Sequence, residues 1–284
     1  MEAGKLIEQA KSDLRQANDL FGYKGDEEDQ AWELLAHALG EEPEWEDEVP
    51  AAAARRFRRL VDRRATGEPL AYIVGRVEFR DLKLGIRKGM FIPRLTSEFL
   101  AAQAVRRLHG RELPVHVDLA TGIGPVAIST ARAVPTAEVW GLDISHRAIS
   151  QARANARELG LANASFRVSD LYAQLPRRFR GNVDIVTMHP PYVPRGEVRD
   201  LPEEIRNYEP GHTLTDGSRD GLGLLGRAIR ESGEWVRPGG WMLVEIVPSE
   251  TRKVMPLLKA AGYRQVRSTC GPLRHTRVIT ARRQ

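Results

Sequence analysis

The chain has 284 residues, 42% hydrophobic and 29% charged, enough for a sizeable core in one large domain or two smaller ones. Its 43 basic and 38 acidic residues leave a net charge of +5, too small an excess to define a polyanion-binding protein. The single cysteine, Cys270, excludes an intrachain disulfide and a cysteine-based metal cluster. No apolar run approaches the roughly 20 residues of a membrane span. The first residues mix acids, bases and apolar positions rather than forming the apolar core of a signal peptide, so the expectation is a cytoplasmic protein with no membrane partner.

The opening third reads as helical. Leu6, Ile7, Ala10, Leu14 and Ala17 recur at helical spacing, and Trp32, Leu35 and Ala36 mark a second helix over 27–39 that Gly40 ends. After an acidic stretch, Glu41 to Glu48, a third helix over 51–65 carries Arg55, Arg56, Arg58, Arg59, Arg63 and Arg64. That cluster reads as a solvated helix face. The alternative, a basic patch for RNA or a ribosomal partner, lacks interleaved aromatics, so a nucleic-acid partner is not the expectation. Tyr72, Ile73, Val74, Val77 and Phe79 suggest extended structure, with Gly75, Gly85 and Gly89 as punctuation. The expected domains are therefore 1–70, helical and suited to holding a substrate or partner; 71–96, a linker with a β-hairpin; and 97–284, catalytic.

From Pro114 onward strands alternate with helices. The strands are expected over 115–118, 138–143, 165–169, 183–188, 241–246, 264–269 and 277–280, with Pro238-Gly239-Gly240 turning the chain into the fifth. This pattern implies an α/β domain with a mostly parallel sheet covered on both faces. In such sheets ligands bind at the carboxyl ends of the strands.

Three successive strands end in an acid: Asp118, Asp143 and Asp170. The first leads into Leu119-Ala120-Thr121-Gly122-Ile123-Gly124, a strand-to-helix turn whose glycines allow close backbone approach. It is not the dinucleotide G-x-G-x-x-G fingerprint. Asp143 follows the glycine loop at the offset of a carboxylate that binds ribose hydroxyls, with Ser145 as a competing helix cap. A carboxylate at Asp170 would accept from an adenine amino group. Together the acids and the glycine loop describe a site for a nucleoside that carries positive charge and no phosphates, which S-adenosyl-L-methionine satisfies. The expected cofactor contacts are Asp118, Ala120, Thr121, Gly122, Gly124, Asp143, Ile144, Asp170 and Leu171.

The fourth strand ends in His189-Pro190-Pro191-Tyr192. Two prolines fix φ and remove two backbone donors, so the loop offers carbonyl acceptors beside an aromatic face. His109, His116 and His146 read as surface or cap residues, His212 and His275 as candidates for lining the site, and no metal-ligand spacing is evident.

These features resemble class I S-adenosylmethionine-dependent methyltransferases and, more narrowly, the HemK/PrmC family of protein-(glutamine-N5) methyltransferases. The resemblance runs through Arg64–Gly75, Phe91-Ile92-Pro93-Arg94 with Glu98, Tyr208-Glu209-Pro210, Asp220-Gly221-Leu222, Pro238-Gly239-Gly240 and Glu245-Ile246. It implies a Rossmann-like, seven-stranded, mostly parallel sheet behind a small N-terminal helical domain, with S-adenosyl-L-homocysteine as the product. It also implies a release factor or other protein as acceptor. In the family motif N-P-P-Y the asparagine side chain and the first proline carbonyl accept hydrogen bonds from the target amide, and the tyrosine packs on its plane. Pro190, Pro191 and Tyr192 take those places here, and His189 stands where the motif has asparagine, bordering cofactor and acceptor alike. The chain also carries Leu95-Thr96-Ser97 where the family has P-x-T. Histidine is an acceptor and a competent base. It therefore keeps a glutamine target open and adds a small-molecule N- or O-acceptor, as in natural-product biosynthesis; the related N-P-P-Y motif and the basic Arg55–Arg64 cluster leave a nucleic-acid amino group as a further alternative.

Overall fold

The computed structural model describes residues 1–21 and 27–284, with the side chains of 16–21 excepted; the expectation for Ala17 falls on one of those side chains, outside the described residues. The chain divides into two compact units, one of 1–76, 86–89 and 199–210, the other of 77–85, 90–198 and 211–284.

The first unit is built on three helices, α1 (Ala3–Phe21), α2 (Glu27–Leu39) and α3 (Ala51–Ala65), and a short fourth, α4 (Leu70–Val74). Ala3, Leu6, Ile7, Ala10 and Leu14 of α1 pack with Leu34 and Leu35 of α2 and Phe57, Leu60 and Val61 of α3. The extended structure expected at Tyr72–Val74 is instead helical. Pro69 precedes the first turn, and Gly75 closes it in the left-handed region (φ 74°), its N–H donating to the Ala71 carbonyl. Ile73 and Val74 are thereby turned into the helical core, so packing overrides the β propensity of the run. Residues 199–210 belong to this unit as well. Within them, Glu204 pairs with the buried Arg64 at 3.0 Å, and the Tyr208 hydroxyl donates to the Thr66 carbonyl at 3.3 Å.

A hairpin follows, β1 (Arg76–Phe79) and β2 (Leu82–Gly85), in the second unit from Val77 onward, and then α5 (Ser97–Leu108). Glu98, in the first turn of α5, accepts the Arg80 N–H and so ties that helix to the hairpin turn. The main sheet then follows: β3 (Val115–Leu119), α6 (Pro125–Ala133), β4 (Glu138–Asp143), α7 (His146–Glu158), β5 (Ala164–Val168) and β6 (Val183–Met188). Two short helices, α8 (Glu203–Tyr208) in the first unit and α9 (Gly211–Leu214), precede α10 (Gly223–Ser232), β7 (Val236–Ile246), α11 (Thr251–Ala260), β8 (Tyr263–Cys270) and β9 (Arg277–Arg283).

The seven strands lie in the order β5-β4-β3-β6-β7-β9-β8. Neighbours are parallel from β5 to β7, and β9 runs antiparallel to both β7 and β8. Chain order reverses between β3 and β6, the switch point at which such sheets open a crevice. Pro238-Gly239-Gly240 does not precede β7 but lies inside it. Val183 pairs with Val236 and Ile185 with Trp241, so four residues, three of them extra, bulge opposite Asp184. Leu119, Leu142, Val186, Met188, Met242 and Val244 fill the core around the sheet.

Candidate active site

The sheet order brings the strand-end acids to one edge: Asp170 after β5, Asp143 on β4, Asp118 on β3, and His189 after β6. Register fixes their spacing, with Asp118 beside Gly141 of β4 and Thr187 of β6.

Asp118 is buried, and each of its oxygens accepts one hydrogen bond from a threonine. Thr121 Oγ1 donates to its Oδ2 and Thr187 Oγ1 to its Oδ1, both at 2.6 Å. Burial pushes its carboxyl up to about 6, the nearby Asp143 charge adds to the rise, and the two threonine hydroxyls oppose it. Thr187 Oγ1 also meets His116 Nε2 at 2.7 Å. With the Thr187 proton committed to Asp118, His116 is the donor at Nε2, and its Nδ1 is buried without a partner. His116 is thus neither a surface nor a cap residue. It is the inner end of a polar relay, held neutral by burial, which lowers its pKa to about 3.

Asp143 pins the glycine loop. Its Oδ2 accepts from Gly122 N and its Oδ1 from Ser145 N, each at 2.8 Å. Ser145 caps α7 through the Ala148 N–H, so the cap role falls to Ser145 and the carboxylate serves the loop. Burial raises the Asp143 pKa, against the pull of its backbone donors and of the His212 charge. Ala120 and Gly122 hold left-handed backbone (φ 52° and 57°), as does Leu171 (46°). A side chain at Gly122 would meet no atom within 4 Å, which leaves open space above the loop. Ile144 is 65% exposed beside Asp143, an apolar plate at a polar edge. Asp170 is half exposed, and its Oδ2 accepts from Arg227 Nη2 at 2.9 Å.

These features fit a cationic nucleoside better than a nucleotide. Pro125 at the first position of α6 removes one of the N–H groups that a helix N-terminus offers to phosphate, and three carboxylates repel it. The same carboxylates suit an ammonium and a sulfonium, Asp143 keeps lone pairs for hydroxyls, and Ile144 offers a face to a flat base.

The His189–Tyr192 loop is ordered by aromatic contacts. The Tyr192 ring stacks on His189 (centroids 5.6 Å apart, planes at 17°), and Phe91 meets His189 edge-on at 5.6 Å and 88°. Arg94 lies over Phe91 at 4.6 Å. The Phe91–Arg94 stretch and the His189–Tyr192 loop, distant in sequence, therefore form one wall. Burial is the main cause of the lowered His189 pKa, which Glu245 opposes and Arg94 reinforces. Burial also pushes the Tyr192 phenol up to about 12. Tyr192 bridges to Thr215, and the Val193 N–H donates to the Leu214 carbonyl. Gly221 (φ 71°) passes so close to the Tyr192 carbonyl that a Cβ there would collide with it. Sequence reasoning missed Ser97 and Glu245, which both approach His189. A charged residue within the apolar run Leu243–Ile246 was the available signal for Glu245. His275 is exposed, and His212 enters only through its charge near Asp143.

Residues 5–75 match the family model described as PrmC N-terminal domain, and residues 114–245 match one described as Methyltransferase domain. The release factor glutamine methyltransferase of Rhodopirellula baltica is 30% identical over 94% of this chain and 94% of its own. That of Burkholderia pseudomallei is 37% identical over 83% and 85%, and that of Moorella thermoacetica 36% over 76% and 75%. The chain belongs to the release factor glutamine methyltransferase family. It is accordingly an S-adenosylmethionine-dependent methyltransferase, and the strand-end residues fit that cofactor. Two solved structures share the fold. One is a 16S rRNA N2 G1207 methyltransferase of T. thermophilus in complex with AdoMet and guanosine (TM-score 0.56, 18% identity, 74% of this chain and 50% of that one). The other is a ribosomal protein L11 methylase of Lactobacillus delbrueckii (0.51, 16%, 74% and 99%).

Proposed function

We propose that the chain methylates the side-chain amide nitrogen of a glutamine in a release factor, with the His189–Tyr192 loop holding the acceptor and Asp118, Gly122, Asp143, Ile144, Asp170 and Leu171 holding the cofactor. The observation that carries this reading is the stacked His189–Tyr192 pair at the end of β6, next in the sheet to the strand that ends at Asp118.

The cofactor supplies a methyl group already activated by its sulfonium. The protein's task is to align the acceptor and exclude water, which is worth ~7–11 kcal/mol in favourable cases. The Pro190 carbonyl and the ring of position 189 offer two acceptors to the two N–H groups of a primary amide. As positive charge develops on the nitrogen, those acceptors stabilise it. The Tyr192 face restricts the amide plane. The first unit serves to hold the protein substrate. The reaction then belongs to the cytoplasm, where translation ends; among the described residues no helix is long and apolar enough to cross a membrane.

Mass spectrometry of a release factor incubated with the protein and S-adenosylmethionine tests the proposal. One added methyl group on a glutamine side chain supports it. An unmodified factor, or methylation of a small molecule or nucleic acid in its place, sinks it.

A further inference from the structure

Glu245 is the residue of this site that the proposed reaction does not yet use. It is wholly inaccessible on β7, and neither of its carboxylate oxygens has a hydrogen-bond partner. A buried charge without partners is costly, and such exceptions call for a cause. His189 faces it, with Nδ1 3.6 Å from Oε2. The placement follows from register: Met188 pairs with Val244, so the next residue of each chain, His189 and Glu245, are neighbours. Ser97 Oγ is 3.0 Å from the same Nδ1. Ser97 and His189 are both departures from the family pattern, and the two departures touch.

We propose that Glu245 is a positioning residue that holds the His189 imidazole in its Nδ1–H form, so that Nε2 presents a lone pair to the acceptor. A carboxylate only accepts. Set against Nδ1, it favours a proton there and disfavours a ring lone pair there. The Nδ1–H then donates to Ser97 Oγ, with the Glu245 charge behind it. Nε2 becomes the equivalent of the asparagine oxygen in the family motif. The inference rests on the glutamine reading and extends it by one step. The amide nitrogen forms its bond to the methyl carbon, the donor sulfur keeps the electron pair of the bond that breaks, and the displaced N–H proton passes to Nε2. The resulting imidazolium faces Glu245.

The charged and titratable groups that face His189 are Glu245 from β7, Arg94 from the stretch before α5, and Tyr192 from its own loop. Glu245 favours the protonated ring and Arg94 opposes it. Removing the Glu245 charge therefore moves the acid limb of kcat/KM to lower pH.

The test is nitrogen-15 NMR of the full chain with labelled histidine, which reads the tautomer without substrate or turnover. The wild type is expected to show a protonated Nδ1 and a bare Nε2 at neutral pH. In Glu245→Gln the new amide donates to Nδ1 and drives the proton to Nε2. The kcat for a release factor then falls by at least about tenfold, with S-adenosylmethionine affinity within twofold of wild type, and the loss shrinks in a His189→Asn background, which has no tautomer to set. A wild-type ring carrying its proton on Nε2 overturns the proposal, as does a Glu245→Gln ring with unchanged tautomer and unchanged acid limb. A release factor that is never methylated defeats the glutamine reading instead, and leaves the NMR result to decide the role of Glu245.

Discussion

Replacing Asp118 by asparagine separates what this side chain costs the fold from what it gives the site. Its carboxyl is raised from 3.8 to about 6, chiefly by burial. A raised acid binds its proton more tightly in the folded state. Stability is therefore fully present below about pH 4 and is lost as pH rises through about 6. That rise corresponds to ~3 kcal/mol at neutral pH. Asparagine removes that cost but must donate where the carboxylate accepted. The relay can absorb the change: Asn Nδ2 donates to Thr187 Oγ1, Thr187 donates to His116 Nε2, and His116 moves its proton to the Nδ1 that now lacks a partner. Allowing about 1 kcal/mol for weaker hydrogen bonds, Asp118→Asn should stabilise the ligand-free protein by ~2 kcal/mol at pH 7 and by nothing, or slightly less than nothing, at pH 4. Urea midpoints of both proteins at the two pH values measure this. Calorimetric titration should meanwhile show S-adenosylmethionine affinity reduced by about tenfold or more in the variant. In the wild type, affinity should fall by about tenfold per pH unit well below 6. Equal destabilisation of the variant at both pH values would refute the reasoning, because the carboxylate would then carry no burial cost.

Three further changes probe the acceptor wall and the cofactor edge. Gly221→Ala places a Cβ against the Tyr192 carbonyl in left-handed backbone, so steady-state kinetics should show KM for the acceptor raised several-fold, with cofactor affinity retained. Tyr192→Phe keeps the face that stacks on His189 and loses only a hydroxyl that stays protonated up to about 12. Its activity should remain within a few-fold of wild type with no new alkaline limb, whereas Tyr192→Ala should lose at least about tenfold. Arg227→Ala breaks a half-exposed pair with Asp170, so thermal unfolding should change by less than about 1 kcal/mol, while S-adenosylmethionine binds more tightly to the freed carboxylate. Weaker binding would instead mean that Arg227 itself serves the ligand.

The sheet and its ligand edge were legible because β3, β4 and β6 are buried on both faces. β4 and β6 are largely apolar and run out at Asp143 and His189, whereas β3 carries His116 and Asp118 within its length and was marked by the glycine loop that follows it. Tyr72–Val74 misled for the converse reason. Branched and aromatic side chains satisfy a strand or one buried helical turn equally well, and the decision lay with Pro69, Gly75 and a helical core that no local window contains. The bulge in β7 was hidden likewise, since Pro238-Gly239-Gly240 reads as a turn until Asp184 is known to lie opposite.

The site divides along the same line. Asp118, Asp143 and the His189–Tyr192 loop announce themselves by residue type at a strand end. Ser97, Phe91 and Glu245 matter only through what the fold sets beside His189. An asparagine side chain carries its acceptor and donors in a fixed plane, so its chemistry can be read from the residue alone. A histidine has two nitrogens whose roles interchange with one proton. Which of them faces the acceptor is decided by β7 and α5, through Glu245 and Ser97. The meaning of His189 is thus a property of three segments, and Glu245→Gln should change it without touching residue 189.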